Sequence, residues 1–231
     1  MTTTLLTSPP ERRVVLSNVS WSTFLALVRE TDSGRGRFTY DRGVLEIMSP
    51  SGMHEKVAGL IDRLIGLLTL RLGIEVASYG STTLLRESKQ RGLEPDKCYY
   101  VQNEPRIRGK GDIDLRTDPP PDLVVEVDLS SDSLDKFEIY SALGVPEIWR
   151  HANGELRIHR LRPNGKYAER ARSSVLPQLP LNVLRDFISR WDTVGETTLL
   201  REFEAWAAAL ARPTSAAAPP APRTPGGPRR P

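Results

Sequence analysis

The segment Pro121–Leu129, PDLVVEVDL, constrains the fold more than any other stretch of the chain. One parity carries Leu123, Val125, Val127 and Leu129; the other carries Asp122, Val124, Glu126 and Asp128. Side chains alternate across a strand, so a run this apolar belongs inside a sheet covered on both faces. Carboxylates on such a strand are held where charge is costly, and each then needs a cation, a metal or a set of hydrogen-bond donors.

The flanking sequence supplies the covering layers. Ser20 caps a short helix from Trp21 to about Arg29, and RFTYDRGVLEIM reads as a hairpin turned at Asp41, Arg42 and Gly43. From about Met53 to Leu72, the residues Val57, Leu60, Ile61, Leu64, Ile65, Leu68 and Leu72 fall on one stripe of a long helix. Strands are expected near 74–78, 82–86, 96–101 and 122–129, with a polar loop from Gln102 to Pro121. A helix is expected to start near Asp132, with Asp135 three residues on as in a capping box, and to stop at Gly144 ahead of Pro146. EIWRHANGELRIHRL then reads as a hairpin turned by Asn153 and Gly154, and two helices near 181–189 and 195–211 follow. Strands interleaved with helices, around a sheet that needs cover on both faces, predict a three-layer α/β sandwich. Its organisation is read as an N-terminal arm (1–19), one domain (20–211) and a Pro/Arg-rich tail (212–231) expected to be disordered.

Composition narrows the function classes. The net charge is +3, but the tail holds Arg212, Arg223, Arg229 and Arg230 and no acid, which leaves residues 1–211 at −1. The body is therefore nearly neutral, and the overall basicity is not a nucleic-acid footprint by itself. Seven prolines in the tail deny it a helix or a ladder. The lone Cys98 forms no intramolecular disulfide, and its expected role is that of a small buried hydrophobe. With an N-terminus unlike a signal peptide, that leads to the expectation of a reducing, cytoplasmic setting. No apolar run approaches the roughly 18 residues of a membrane span. The 3 histidines and 1 cysteine are too scattered for a zinc site, and no P-loop or dinucleotide fingerprint is present.

The strand carboxylates carry the chemical signal. Asp122 and Glu126 face the same way but lie about 13 Å apart at ~3.3 Å per residue, too far to share one ion. Glu126 needs a partner from a neighbouring strand, and Asp96, which opens DKCYYV, is the candidate; Asp128 is the other acid within reach. On the helix expected from Asp132, Lys136 falls in the apolar arc with Ile139, Tyr140 and Leu143, so it points towards the sheet. Two kinds of reading stand for it: a cation at a carboxylate-held metal, or a structural residue whose stem packs while its ammonium reaches water or pairs with Asp128 as a plain salt bridge.

The order LEIMSPSGMHE, an apolar helix, EPDKCYY and then PDLVVEVDLSSDSLDKFEIYSALGVPEIWR closely resembles the Uma-type restriction-endonuclease family, a branch of the PD-(D/E)xK nuclease superfamily. The resemblance spans about residues 20–207, and its most specific block is Pro121–Trp149. It implies a restriction-endonuclease-like sandwich with a central mixed sheet, an Asp and a Glu that bind metal on adjacent strands, and a catalytic lysine. It further implies Mg²⁺ as cofactor, with Mn²⁺ as a substitute, and DNA as substrate. Asp96 takes the place of the Asp, and Glu126 that of the acid in (D/E)xK. Two positions after Glu126 stands Asp128, where the superfamily pattern has lysine, and Lys136 is where a migrated lysine would lie.

Other residues keep two readings each. His54 is a site contact or a core histidine; Glu55 is a supporting acid or a residue favoured by the helix dipole; Asp122 is a turn-closing acid or part of a second metal site. Glu46 matches the family block but receives no role. Cutting both strands of DNA would favour a homodimer, an inference from symmetry alone. The alternative function is a non-catalytic nuclease-fold module that binds nucleic acid or a protein partner.

Overall fold

A computed structural model describes residues 11–31, 36–129 and 134–211. Its strands are β1 (Arg12–Leu16), β2 (Arg37–Asp41), β3 (Val44–Ser49), β4 (Ala77–Ser78), β5 (Leu84–Arg86), β6 (Arg91–Leu93), β7 (Lys97–Tyr100), β8 (Leu123–Asp128), β9 (Glu147–Ala152), β10 (Glu155–Leu161) and β11 (Tyr167–Arg170). Its α-helices are α1 (Trp21–Glu30), α2 (Gly52–Leu72), α3 (Glu104–Ile107), α4 (Lys136–Leu143), α5 (Leu181–Ser189) and α6 (Glu196–Ala211).

The strands form two sheets. The larger has the order β11-β10-β9-β8-β7-β4 and is mixed, because β8 and β9 run parallel on either side of α4 while their other neighbours are antiparallel. All six residues of β8 are buried. Leu123, Val125 and Val127 pack with α2, α5 and α6, through Ile61, Leu64, Leu184 and Phe203 among others. Val124, of the opposite parity, packs with Cys98, Ile148 and the α4 residues Ile139, Tyr140 and Leu143. The three-layer sandwich expected from the β8 sequence is thus present, with β8 near its centre.

The second sheet, β1-β3-β2-β6-β5, is antiparallel and carries α1 on a small core of Trp21, Phe24, Phe38, Tyr40 and Leu45. Its hairpin turns at Arg42 and Gly43 with φ of 46° and 96°, a two-residue turn that suits the strand twist. Asn153 and Gly154, at 52° and 74°, turn the β9–β10 hairpin in the same way.

Several local expectations need correction. Residues 12–16, assigned by sequence to an arm outside the domain, pair with β3 in full register from Arg12↔Ser49 to Leu16↔Leu45. The strand expected over 74–78 contracts to Ala77–Ser78, and the loop from Gln102 to Pro121 contains the turn of helix α3. Strands β6 and β11 were not expected; each is only 3 or 4 residues long, too short for a two-residue alternation to register. Helix α4 begins at Lys136, later than expected, because Asp135 is its cap and accepts from the Phe137 amide at 3.0 Å. Asp132 lies outside the described residues, as does the tail from 212. Gly144, at φ 84°, ends α4 in the left-handed conformation where it was expected.

Candidate functional site

The antiparallel ladder between β7 and β8 runs Tyr99↔Leu123, Cys98↔Val124, Lys97↔Val125. One step further, Asp96 stands opposite Glu126, and its Oδ2 accepts from the Val127 amide at 2.7 Å. The two carboxylates are therefore neighbours across adjacent strands, 2% exposed each. The cap at Asp135 starts α4 so that its first residue, Lys136, is buried against the sheet, and its ammonium donates to Glu126 Oε2. One helical turn on, at i+4, the Tyr140 hydroxyl donates to Glu126 Oε1. Of the two readings of Lys136, the structure brings it onto Glu126 and not onto Asp128.

Asp128 takes a different partner. Its Oδ2 accepts from Arg150 Nε at 2.6 Å, with Arg150 supplied by the parallel strand β9. These side chains, with Leu134, Asp135, Phe137 and Ile148, line a cavity of about 340 Å³.

His54, at the start of α2, enters from the other side. Ser51 caps that helix by accepting from the His54 amide at 3.2 Å, which fixes where the imidazole begins. The ring is wholly buried, with Nε2 2.8 Å from Asp96 Oδ1 and Nδ1 2.6 Å from Glu11 Oε1. His54 is thus buried and in contact with Asp96. The Nε2–Oδ1 pair is close but not aligned for a hydrogen bond, so both atoms are buried without one.

Glu55 is removed from this cluster: its side chain is 48% exposed and meets Arg37 at 3.3 Å, while Arg37 Nε lies 3.8 Å from Asp96. Asp122 closes a turn, accepting from the amides of Val101 (2.7 Å) and Asn103 (2.9 Å) and from the Asn103 side chain (2.6 Å). With those bonds made, its turn-closing reading has direct structural support. Glu46, which received no role, is 1% exposed and accepts from Arg13 and from the Leu134 amide, each at 3.3 Å.

The electrostatics follow from burial and partners. Burial pushes the Glu126 carboxyl up to about 7; Lys136 opposes this, and the nearby charges of Asp96 and Asp128 add to it. Burial acts the same way on Asp96, but contact with His54 and the charge of Lys136 outweigh it and hold Asp96 below the usual range. Lys136 is held above its ordinary value, since Glu126, Asp96 and Asp128 together overcome burial. His54 is pushed up to about 9: burial disfavours its charge, but contacts with Asp96 and Glu11 more than offset that. The imidazolium is therefore the state present at neutral pH.

The residues fit a hard divalent cation. Among the described residues, eight buried side-chain polar atoms lack a hydrogen-bond partner, and five lie in this one cluster: Asp96 Oδ1, Asp128 Oδ1, His54 Nε2, Arg13 Nε and Arg37 Nε. Asp96 Oδ1 has its ion-pair contact with His54 Nε2 at 2.8 Å, whereas Asp128 Oδ1 is a buried carboxylate oxygen without a hydrogen-bond partner, the donor type that Mg²⁺ prefers. The Lys136 ammonium already neutralises Glu126 at this spot. Among the described residues, no group of three or more His, Cys, Asp or Glu side chains is arranged to hold a metal ion.

Sequence reasoning missed Glu11, Arg13, Arg37, Tyr140 and Arg150. Tyr140 was legible in principle, because it shares the helical face of Lys136 four residues away. Arg150 would have required the β8–β9 register. Glu11, Arg13 and Arg37 carry no local signal, since their roles arise from sheet pairing far along the chain.

Among the described residues, no helix is long and apolar enough to cross a membrane. Comparison with curated proteins finds no match. Among solved structures, a protein described as a "putative nuclease belonging to DUF820", from Anabaena variabilis ATCC 29413, superposes with a TM-score of 0.50. The match has 15% identity over 75% of this chain and 98% of that one, a likeness of fold. The family model Uma2, described as "Putative restriction endonuclease", matches residues 21–192. That match takes in α1, α2, the β7–β8 pair and the whole cavity wall from Glu126 to Arg150, and the chain belongs to the Uma2 family.

Proposed function

We propose that this chain is a Mg²⁺-dependent endonuclease that hydrolyses phosphodiester bonds in DNA. The single observation that carries the reading is the convergence of Asp96, Glu126 and Lys136, from a strand start, a strand and a helix start, on one buried point beside a cavity. Family membership supports the same reading. Asp96 and Glu126 would hold the cation, which would supply positive charge to the phosphate and acidify water. Lys136 holds the Glu126 carboxylate in place and offers a cation, on a flexible stem, to the charge that develops on phosphate oxygens. Arg150 lines the same cavity and adds a second cation to its wall. Tyr140 orients Glu126 from within the core.

In the full chain, Glu126→Ala is expected to abolish Mg²⁺-dependent cleavage of plasmid DNA; it also leaves the buried Lys136 without its partner, at a cost of about 3 kcal/mol, so cleavage is read on protein shown to be folded. Cleavage retained in a folded Glu126→Ala protein overturns the assignment.

One observation favours the second reading, a non-catalytic module. Both Glu126 oxygens are already engaged, by Lys136 and Tyr140, so the carboxylate is satisfied without a metal. That reading predicts DNA binding that is indifferent to Mg²⁺ and unaccompanied by turnover.

A further inference from the structure

We infer that Glu11 is a positioning residue of the Asp96 site, delivered there by the N-terminal strand. The inference rests on the proposed function and extends it to a segment outside the family match, which begins at residue 21.

The strand β1 is packed inside out. It is the edge strand of its sheet, and its apolar residues Val14, Val15 and Leu16 are 55%, 55% and 41% exposed. What this segment buries is charged: the side chains of Glu11 and Arg13 are 0% and 8% exposed. A strand attached for hydrophobic packing does the reverse. Burying a carboxylate and a guanidinium is costly unless they meet specific partners, and these do. Glu11 Oε1 lies 2.6 Å from His54 Nδ1, and Glu11 Oε2 accepts from Arg13 at 2.7 Å. Arg13 continues to Glu46 at 3.3 Å, and Glu46 accepts from the Leu134 amide beside the α4 cap.

The result is a line of contacts, Glu11 to His54 to Asp96 to the Val127 amide, with successive distances of 2.6, 2.8 and 2.7 Å. A carboxylate accepting from one N–H of an imidazolium fixes which way the ring faces, and so where the other N–H points. Here the near nitrogen faces Asp96 Oδ1, the oxygen without a hydrogen-bond partner. Glu11 is not among the residues that line the cavity and contacts His54, so it acts through His54.

The test is Glu11→Gln in the full chain, read by Mn²⁺ titration calorimetry and by the imidazole ¹⁵N spectrum of His54. Outer partners of metal-site residues are typically worth 10- to 100-fold in metal affinity. The expected result is Mn²⁺ affinity lowered by about that factor, with the His54 Nδ1 proton signal lost or shifted upfield. Glu11→Asp, which keeps the charge at shorter reach, is expected to recover part of the affinity. Wild-type Mn²⁺ affinity in folded Glu11→Gln overturns the inference and leaves the proposed function standing. No Mn²⁺ binding by the wild type overturns both. Should Glu11→Gln fail to fold, Glu11→Asp decides the matter: affinity below wild type supports the inference, and wild-type affinity overturns it.

Discussion

At the scale of single residues, the site is a balance of buried charges, and that balance makes two predictions. Lys136→Met leaves Glu126 buried near Asp96 and Asp128 with only Tyr140 as donor. Breaking a buried pair from one side costs about 3 kcal/mol, whereas replacing both partners with apolar groups is often neutral. Urea unfolding of Lys136→Met is therefore expected to show a loss of that order, largely recovered in Glu126→Leu/Lys136→Met; equal losses in the two would contradict the pairing. The second prediction concerns pH. His54 is raised from 6.5 to about 9 in the folded protein, so the folded state holds its proton more tightly than the unfolded chain does. The stabilisation is complete below pH 6.5 and is lost as pH rises through about 9, an effect of order 3 kcal/mol. Unfolding measured from pH 6 to 9.5 should show falling stability in the metal-free wild type and a flatter profile in His54→Gln. A wild-type profile that rises over this range would contradict the ion pairs assigned to His54.

At the scale of elements, a glycine of the smaller sheet and a glycine of helix α2 differ in the room around them. Gly92 in β6 is tightly enclosed: a Cβ there would stand 3.1 Å from Leu85 Cβ and 3.1 Å from two atoms of the Phe24 ring, so these neighbours would have to give by a few tenths of an ångström. Gly92→Ala is expected to lower stability by about 1–3 kcal/mol through overpacking under α1. Gly66 in α2 meets nothing within 4 Å, and Gly66→Ala is expected to raise stability by about 0.5–1 kcal/mol through helix propensity. Chemical denaturation of the pair checks both signs at once. The elements also show where the sequence is readable. Helix α2, with its apolar stripe, Ser51 cap and Gly73 stop, and β8, apolar along one parity and buried at all six positions, are self-declaring because many residues vote the same way. Strands β1, β6 and β11 are not, because their identity comes from the partner they pair with and not from their own pattern.

At the scale of the whole molecule, the same division governs the site. Asp96, Glu126 and Lys136 were singled out because strand spacing, helical phase and a family block point to them, and the structure brings the three together. Asp122 and Glu55 share the acidic chemistry but are spent elsewhere, on the 101–103 turn and on Arg37. No local pattern tells a carboxylate that faces a neighbouring backbone from one that faces a cavity. Glu11 and Arg13 were beyond reach for a related reason: their contacts span 43 and 33 residues of sequence and depend on β1 joining the edge of a sheet that the sequence did not reveal. The architecture that results places α4 against residues of both sheets, with Lys136 as its first residue.

The most direct measurement is a calorimetric Mn²⁺ titration of the full-length wild type, Asp96→Asn and Glu126→Gln, each shown to be folded. The account predicts saturable binding by the wild type and a weakening of at least about tenfold in both variants, since each removes one charged oxygen donor. Affinity unchanged in both variants would contradict it.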